Sequence, residues 1–418
     1  MEIFNITLIV VLPIATLIIA YFGAIVPYAK GEVKLHKRFP FVTKKVSDLG
    51  KARKPKGFSK KTPDLQIRND LPLPQRLLTL IWNYPLAGGN HTSWAVKEGE
   101  VLRGDLISAS QRPGLGVAIF STELALKAFC SFATRRINGC INWGLSRTQQ
   151  DPPYLLLVEG TEPITSKMEI KTDFRHTLAL SIILARFGQH LIHLEHYIQL
   201  TLEQQRDDGG WSPGEGILIS EIFTVLYAAE LLTLCSHIKE IPKETRRKAV
   251  LSRNKAIDWL IKNTDGNKLW KGDVLEYSWD PLLSTAWVLR RLLPFKEISS
   301  GAWLYCSNQA MHSMIQGALN PTIWLTSTHL QRLRVEARIA SAATIATRSL
   351  GLDAIVSEKV MSYLKDWRIR TEKALSEITD KQLDLSTALF LVDALIDPLK
   401  LKEWASRVLK MSTTNMVI

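Results

Sequence analysis

The sequence predicts an all-α protein: about six αα-hairpin repeats behind a single N-terminal membrane helix. Three observations predict it. Residues Ile3 to Val26 are a 24-residue run without a charge. Helices marked by Thr, with apolar residues around it, recur along the chain. Between two of them stands Gln204-Gln205-Arg206-Asp207-Asp208-Gly209-Gly210-Trp211-Ser212, a turn-forming stretch ending in a large aromatic side chain.

The apolar run comes first. A helix needs roughly 20 apolar residues to cross a bilayer, and Asn5, Thr7 and Pro13 are tolerable within one. A cleaved signal peptide carries its basic residues before the apolar core, and here they follow it. Residues 1–29 therefore read as a single-pass transmembrane anchor. Residues 30–61 hold twelve Lys/Arg against Glu32 and Asp48, a net +10 out of +13 for the whole chain. By the positive-inside rule the N-terminus lies outside and the bulk of the chain is cytoplasmic. The charge describes a tether, not a basic fold, so a specific nucleic-acid partner is not predicted. Anionic membrane lipid is the predicted partner of residues 30–61, at about 1 kcal/mol per basic residue near the surface.

Pro27, Pro40, Gly50, Pro55, Gly57, Pro63, Pro72 and Pro74 break regular structure, which makes residues 30–75 a linker. Residues 76–116 read as one helix, Arg76 to Tyr84, followed by an irregular lid-like segment. Residues 117–418 form the repeat domain. Its Thr-bearing helices are headed by Thr122, Thr177, Thr224, Thr285, Thr344 and Thr387. Their mean spacing is near 50 residues, enough for two helices and a loop. A Thr can bond the carbonyl four residues back and sit at a tight helix contact. Partner helices precede them at Ile141 to Leu145, His190 to Leu202, Ala256 to Ile261, Met311 to Ala318 and Val360 to Trp367. The four cysteines are far apart and form neither a disulfide framework nor a zinc signature.

The Gln-x(2–5)-Gly-x-Trp pattern at 204–211, followed by a Thr-bearing apolar helix, resembles the repeat of triterpene cyclases and of protein prenyltransferase β subunits. Asp258-Trp259-Leu260-Ile261 with Trp279-Asp280-Pro281 and Ser284-Thr285-Ala286 is a second match. The resemblance implies an α/α toroid over roughly 115–400. It also implies that Gln204, Asp207, Asp208, Gly209, Gly210 and Trp211 are a structural turn outside any active site. The chain departs from both families in its chemistry. The Asp-x-Asp-Asp acid of the cyclases is absent. Trp303-Leu304-Tyr305-Cys306 lacks the Asp that a prenyltransferase zinc site places two residues before its Cys.

Two other groups stand out. His190, His193 and His196 share a helix, with Asp173 and His176 on the preceding one; facing each other they would make an acid–base or metal site. Arg334 and Arg338 share a helix face, beside Arg332 and Glu336, and suit an anion. No cofactor is predicted, with a metal at the His cluster the open alternative. The first functional reading is a membrane-anchored binding or scaffold subunit for a protein or peptide partner. An isoprenoid-related enzyme or lipid carrier is the alternative. A glycan hydrolase using inward carboxylates such as Asp173 comes after it.

Overall fold

The computed structural model describes residues 71–83, 156–161, 168–187, 190–214, 219–272, 280–325, 327–349, 352–377 and 385–414, and a few isolated positions. These residues belong to one compact unit, Ile67–Ile418. The predicted anchor, the basic tether, the lid-like segment and the Thr122 helix lie outside them. Among the described residues no helix is long and apolar enough to cross a membrane.

The described residues are helical, with one β-hairpin. The helices are α1 (Leu73–Asn83), α2 (Phe174–Phe187), α3 (Leu191–Glu203), α4 (Ile222–Cys235), α5 (Lys243–Lys262), α6 (Asp280–Leu292), α7 (Gly301–Leu319), α8 (His329–Arg348), α9 (Ala354–Glu377), α10 (Leu385–Leu395) and α11 (Pro398–Thr414). Strands β1 (Leu156–Thr161) and β2 (Met168–Asp173) pair antiparallel just before α2, with Leu156 opposite Asp173.

Two kinds of helix alternate, and composition explains why. Helix α4 reads Ile-Phe-Thr-Val-Leu-Tyr-Ala-Ala-Glu-Leu-Leu-Thr-Leu-Cys; it is apolar on every side and all of it but Leu234 is buried. A helix without a polar face has to be surrounded. Helix α6 is also buried along nearly its whole length. Helix α5 instead opens on Lys-Glu-Thr-Arg-Arg-Lys and buries one stripe, from Ala249 through Ile257 to Leu260. Even-numbered helices are thus enclosed, and the odd-numbered ones between them present a wet face.

Packing follows the same division. Helix α2 packs on α4, α4 on α6, α6 on α8, and α8 on α10. Helices α3, α5, α7 and α9 form a second row, each against the next; α3 and α7 also lie on both even-numbered neighbours, α5 on α4 and α9 on α8. Helix α1 lies on α10 and α11. Arg76 of α1 donates to the Leu375 carbonyl of α9 at 3.3 Å. The sequence set α1 apart from the repeats; in the structure it extends the enclosed row past α10.

One turn recurs between the rows. After α3, the Trp211 indole N–H donates to the Thr201 carbonyl at 2.7 Å. After α5, Trp270 donates to Leu260 at 2.9 Å. After α7, Trp324 donates to Ala318 at 3.0 Å. The last carbonyls of a helix lack intrahelical partners, and an indole folded back over the end supplies one. The Thr-marked positions serve these turns and not only the helices. The Thr285 hydroxyl accepts from the Trp270 backbone N–H at 3.0 Å. Thr224 donates to Glu221, the N-cap of α4, at 2.6 Å.

Candidate functional site

The Trp211 turn stitches adjacent hairpins. The side chain of Gln205, not Gln204, reaches the next outer helix: its Nε2 donates to the Gly209 carbonyl at 3.0 Å and to Ser252 of α5 at 2.9 Å. Gln204 is the C-cap of α3, and Asp207 is exposed. Asp208 accepts from Gly210 N–H at 2.9 Å, from Ser220 at 2.9 Å and from the Trp259 indole of α5 at 3.2 Å. Burial pulls the Asp208 carboxyl up, but the Gly210, Ser220 and Trp259 donors, with Arg206 nearby, outweigh it and hold the group below the ordinary carboxylate range.

A depressed folded pKa contributes stability that is present above the unfolded value of about 4 and is lost as pH falls through the folded one. Asp208→Asn should therefore lower the urea midpoint at neutral pH, and the gap to wild type should close below about pH 4. Gly209 sits at φ +92°, and a Cβ there would stand 2.9 Å from the Lys255 carbonyl oxygen. Gly209→Ala should cost about 1–3 kcal/mol in the same denaturation measurement.

The histidines and Asp173 are not brought together. His190 is not in a helix: it is the left-handed N-cap of α3, at φ 54°. Asp173 ends β2 instead of lying on the preceding helix. His176 is buried near the start of α2, while His190 follows the end of α2. Eleven residues of α2 separate His176 from Phe187, roughly 16 Å at 1.5 Å per residue. His190 and His193 meet edge to face with ring centres 6.0 Å apart. Burial, then the neighbouring His190 and His196, lowers the His193 pKa. Among the described residues no group of three or more His, Cys, Asp or Glu is placed to hold a metal.

The arginines of α8 divide between two places. Arg338 faces the interior with its guanidinium 5.0 Å from the Phe390 ring centre, and donates to the Arg334 carbonyl at 3.1 Å. It joins a charge and aromatic cluster built from the enclosed row. Glu230 of α4, fully buried, pairs with Arg186 of α2 and with Arg291 of α6. Arg290 of α6 pairs with Asp393 of α10, its Nε donating at 3.0 Å, and also donates to Ser341 of α8 at 3.1 Å. Arg291 lies over Tyr227 at 4.7 Å, and the Trp287 indole donates to the Tyr227 hydroxyl at 2.8 Å. The sequence held a signal for these groups: Glu230 and Asp393 each interrupt an apolar helix. A charge there is buried and needs a partner.

The other arginine face opens on a groove between α8 and α9, of about 520 Å³. Glu336, nearly buried, lies between two guanidiniums: Arg332 Nε at 3.0 Å and Arg370 Nη2 at 3.7 Å. Arg332 also lies over the Trp324 ring at 5.3 Å. Lys373, His329, Thr328 and Thr371 are also among the lining residues. Behind it the Tyr363 hydroxyl is buried with no hydrogen-bond partner among the described residues. Burial, and then the Glu336 charge, raise its pKa against the opposing pull of Arg370 and Arg332. No family model, curated protein or solved structure matches this chain.

Proposed function

We propose that this is a membrane-anchored α/α-toroid protein that serves as a binding or scaffold subunit for a protein or peptide partner at the cytoplasmic membrane face. The observation that carries the reading is how the charges of the enclosed row are used. Glu230 is held by Arg186 and Arg291, and Asp393 by Arg290. Carboxylates locked to guanidiniums hold the helices together; they are not poised as a general acid and base. Among the described residues an open volume lies elsewhere, on the α8/α9 groove.

The toroid is supported by the packing order. Five helices, α2, α4, α6, α8 and α10, follow one another in the enclosed row, and α1 lies on the last of them. The anchor and its orientation rest on the uncharged 3–26 run and the basic segment behind it. An isoprenoid enzyme or carrier has less support. An apolar chain gains nothing from an interior bearing Arg186, Arg290, Arg291 and Arg338.

The test is purification of the tagged full-length protein from cross-linked native membranes. The expected result is a stoichiometric protein partner, and a chain that moves to the soluble fraction once residues 1–29 are removed. Full-length protein that purifies without any stoichiometric partner would sink the scaffold reading.

A further inference from the structure

We propose that the α8/α9 groove is the partner-recognition site and takes an acidic peptide segment, two or more carboxylates along an extended strand. This rests on the scaffold reading above. Three features of the groove point to it. The first is charge. Arg332, Arg370 and Lys373 line a cavity of about 520 Å³ that holds one carboxylate, Glu336. Such a volume is within the ordinary range for a bound ligand, roughly 300–1,000 Å³.

The second is preorganisation. Glu336 is nearly buried and sits between the two guanidiniums, and Trp324 stacks on Arg332. Arginines already held in place lose less freedom on capturing an oxyanion, and a guanidinium keeps donors beyond those Glu336 uses. The Arg370 and Arg332 side chains remain about two-fifths exposed, at 44% and 37%, so those donors face the groove.

The third is shape. The lining runs along α8 from His329 to Glu336, two helical turns or roughly 10 Å, with Arg332 and Arg370 meeting at Glu336 and Lys373 one turn along α9 from Arg370. Alternate residues of an extended peptide are roughly 7 Å apart. Spaced carboxylates on such a peptide match the groove better than one compact phosphate, which Glu336 would also repel more strongly. The exposed Thr328 hydroxyl caps α8 by accepting from the Gln331 N–H and keeps its proton to donate to a peptide carbonyl.

The test uses the full-length chain in detergent micelles and fluorescence anisotropy. The probe is a labelled peptide of alternating Glu and Ser, with the Gln/Ser peptide beside it. The basic 30–61 segment binds any acidic peptide, so the readout is the difference between wild type and groove variants that leave that segment intact. Lys373→Glu reverses a charge on an exposed side chain that holds nothing in place, and is expected to weaken binding about tenfold. Arg370→Gln is expected to weaken it roughly threefold. Lys373→Glu should keep the wild-type melting temperature, and Arg370→Gln, which gives up its pair with Glu336, should lower it by about 1–2 °C.

Equal binding of the Glu peptide by wild type and both variants would overturn the proposal. So would groove-dependent displacement by inorganic phosphate at matched ionic strength, which would make this a phosphate site. Groove-dependent binding to phosphatidylserine vesicles, with none to the peptide, would make it a lipid site instead. The two readings fail separately. A partner captured equally by wild type and Lys373→Glu sinks the groove and keeps the scaffold. Peptide binding at the groove with no partner from membranes does the reverse.

Discussion

Glu230→Gln is expected to lower the thermal midpoint of the helical domain by roughly 5–10 °C, followed by circular dichroism at 222 nm. Glu230 is fully buried in α4 and holds Arg186 from one side and Arg291 from the other. Removing its charge leaves the Arg291 guanidinium, 2% exposed, without its carboxylate. Losing one partner of a buried pair costs about 3–5 kcal/mol, because the remaining charge is stranded away from water. Arg186→Met should cost less. Its side chain is 29% exposed, so water replaces part of what is lost, and Arg291 still neutralises Glu230. If the two variants melt alike, the Glu230 cluster does not hold the enclosed row together.

The second large effect is at Trp270. Trp270→Ala should cost about 3–5 kcal/mol in denaturant unfolding, the usual range for emptying a buried aromatic site. The ring is fully buried, its centre 5.9 Å from that of Trp303, and its N–H satisfies the Leu260 carbonyl at the end of α5. Trp270→Phe keeps most of the packing and drops the hydrogen bond with part of the ring, so about 1–2 kcal/mol is expected. A ratio near one between the two variants would mean that the carbonyl contact, and not the packed ring, makes the turn. The same pair of substitutions at Trp211 should behave alike, since Trp211 caps Thr201 in the same way.

The helical content was legible in the sequence because apolar periodicity and turn residues are local signals. The partner helix ending at Leu202 and the helices marked by Thr224 and Thr285 are read from the chain, and α3, α4 and α6 stand there. Strand pairing is not local, and the β1–β2 hairpin ahead of α2 escaped, taking Asp173 off its expected helix. The His cluster failed for a related reason. Helical spacing was extended one residue too far, to His190, whose left-handed backbone ends the pattern.

The α8 arginines show the limit most clearly. Spacing at i, i+4 says which charges share a face: Arg332 with Glu336, and Arg334 with Arg338. It does not say which neighbour each face meets. Arg370 and Lys373 of α9, and Asp393 of α10, come from segments 38 to 55 residues further on, and only tertiary packing selects them. Gln205 in place of Gln204 is a difference of one residue in a turn, set by the direction in which the chain leaves α3.

The return of α1 to the far end of the chain bears on how the protein is made. Arg76 and Leu375 lie 299 residues apart in sequence. At translation rates of about 5–20 residues per second, α1 leaves the ribosome roughly 15–60 s before the helices it rests on exist. Through that interval its apolar side has no native seat, which is a window for chaperones to occupy. A ribosome stalled before α10 would leave an open chain of helices whose first member is still waiting.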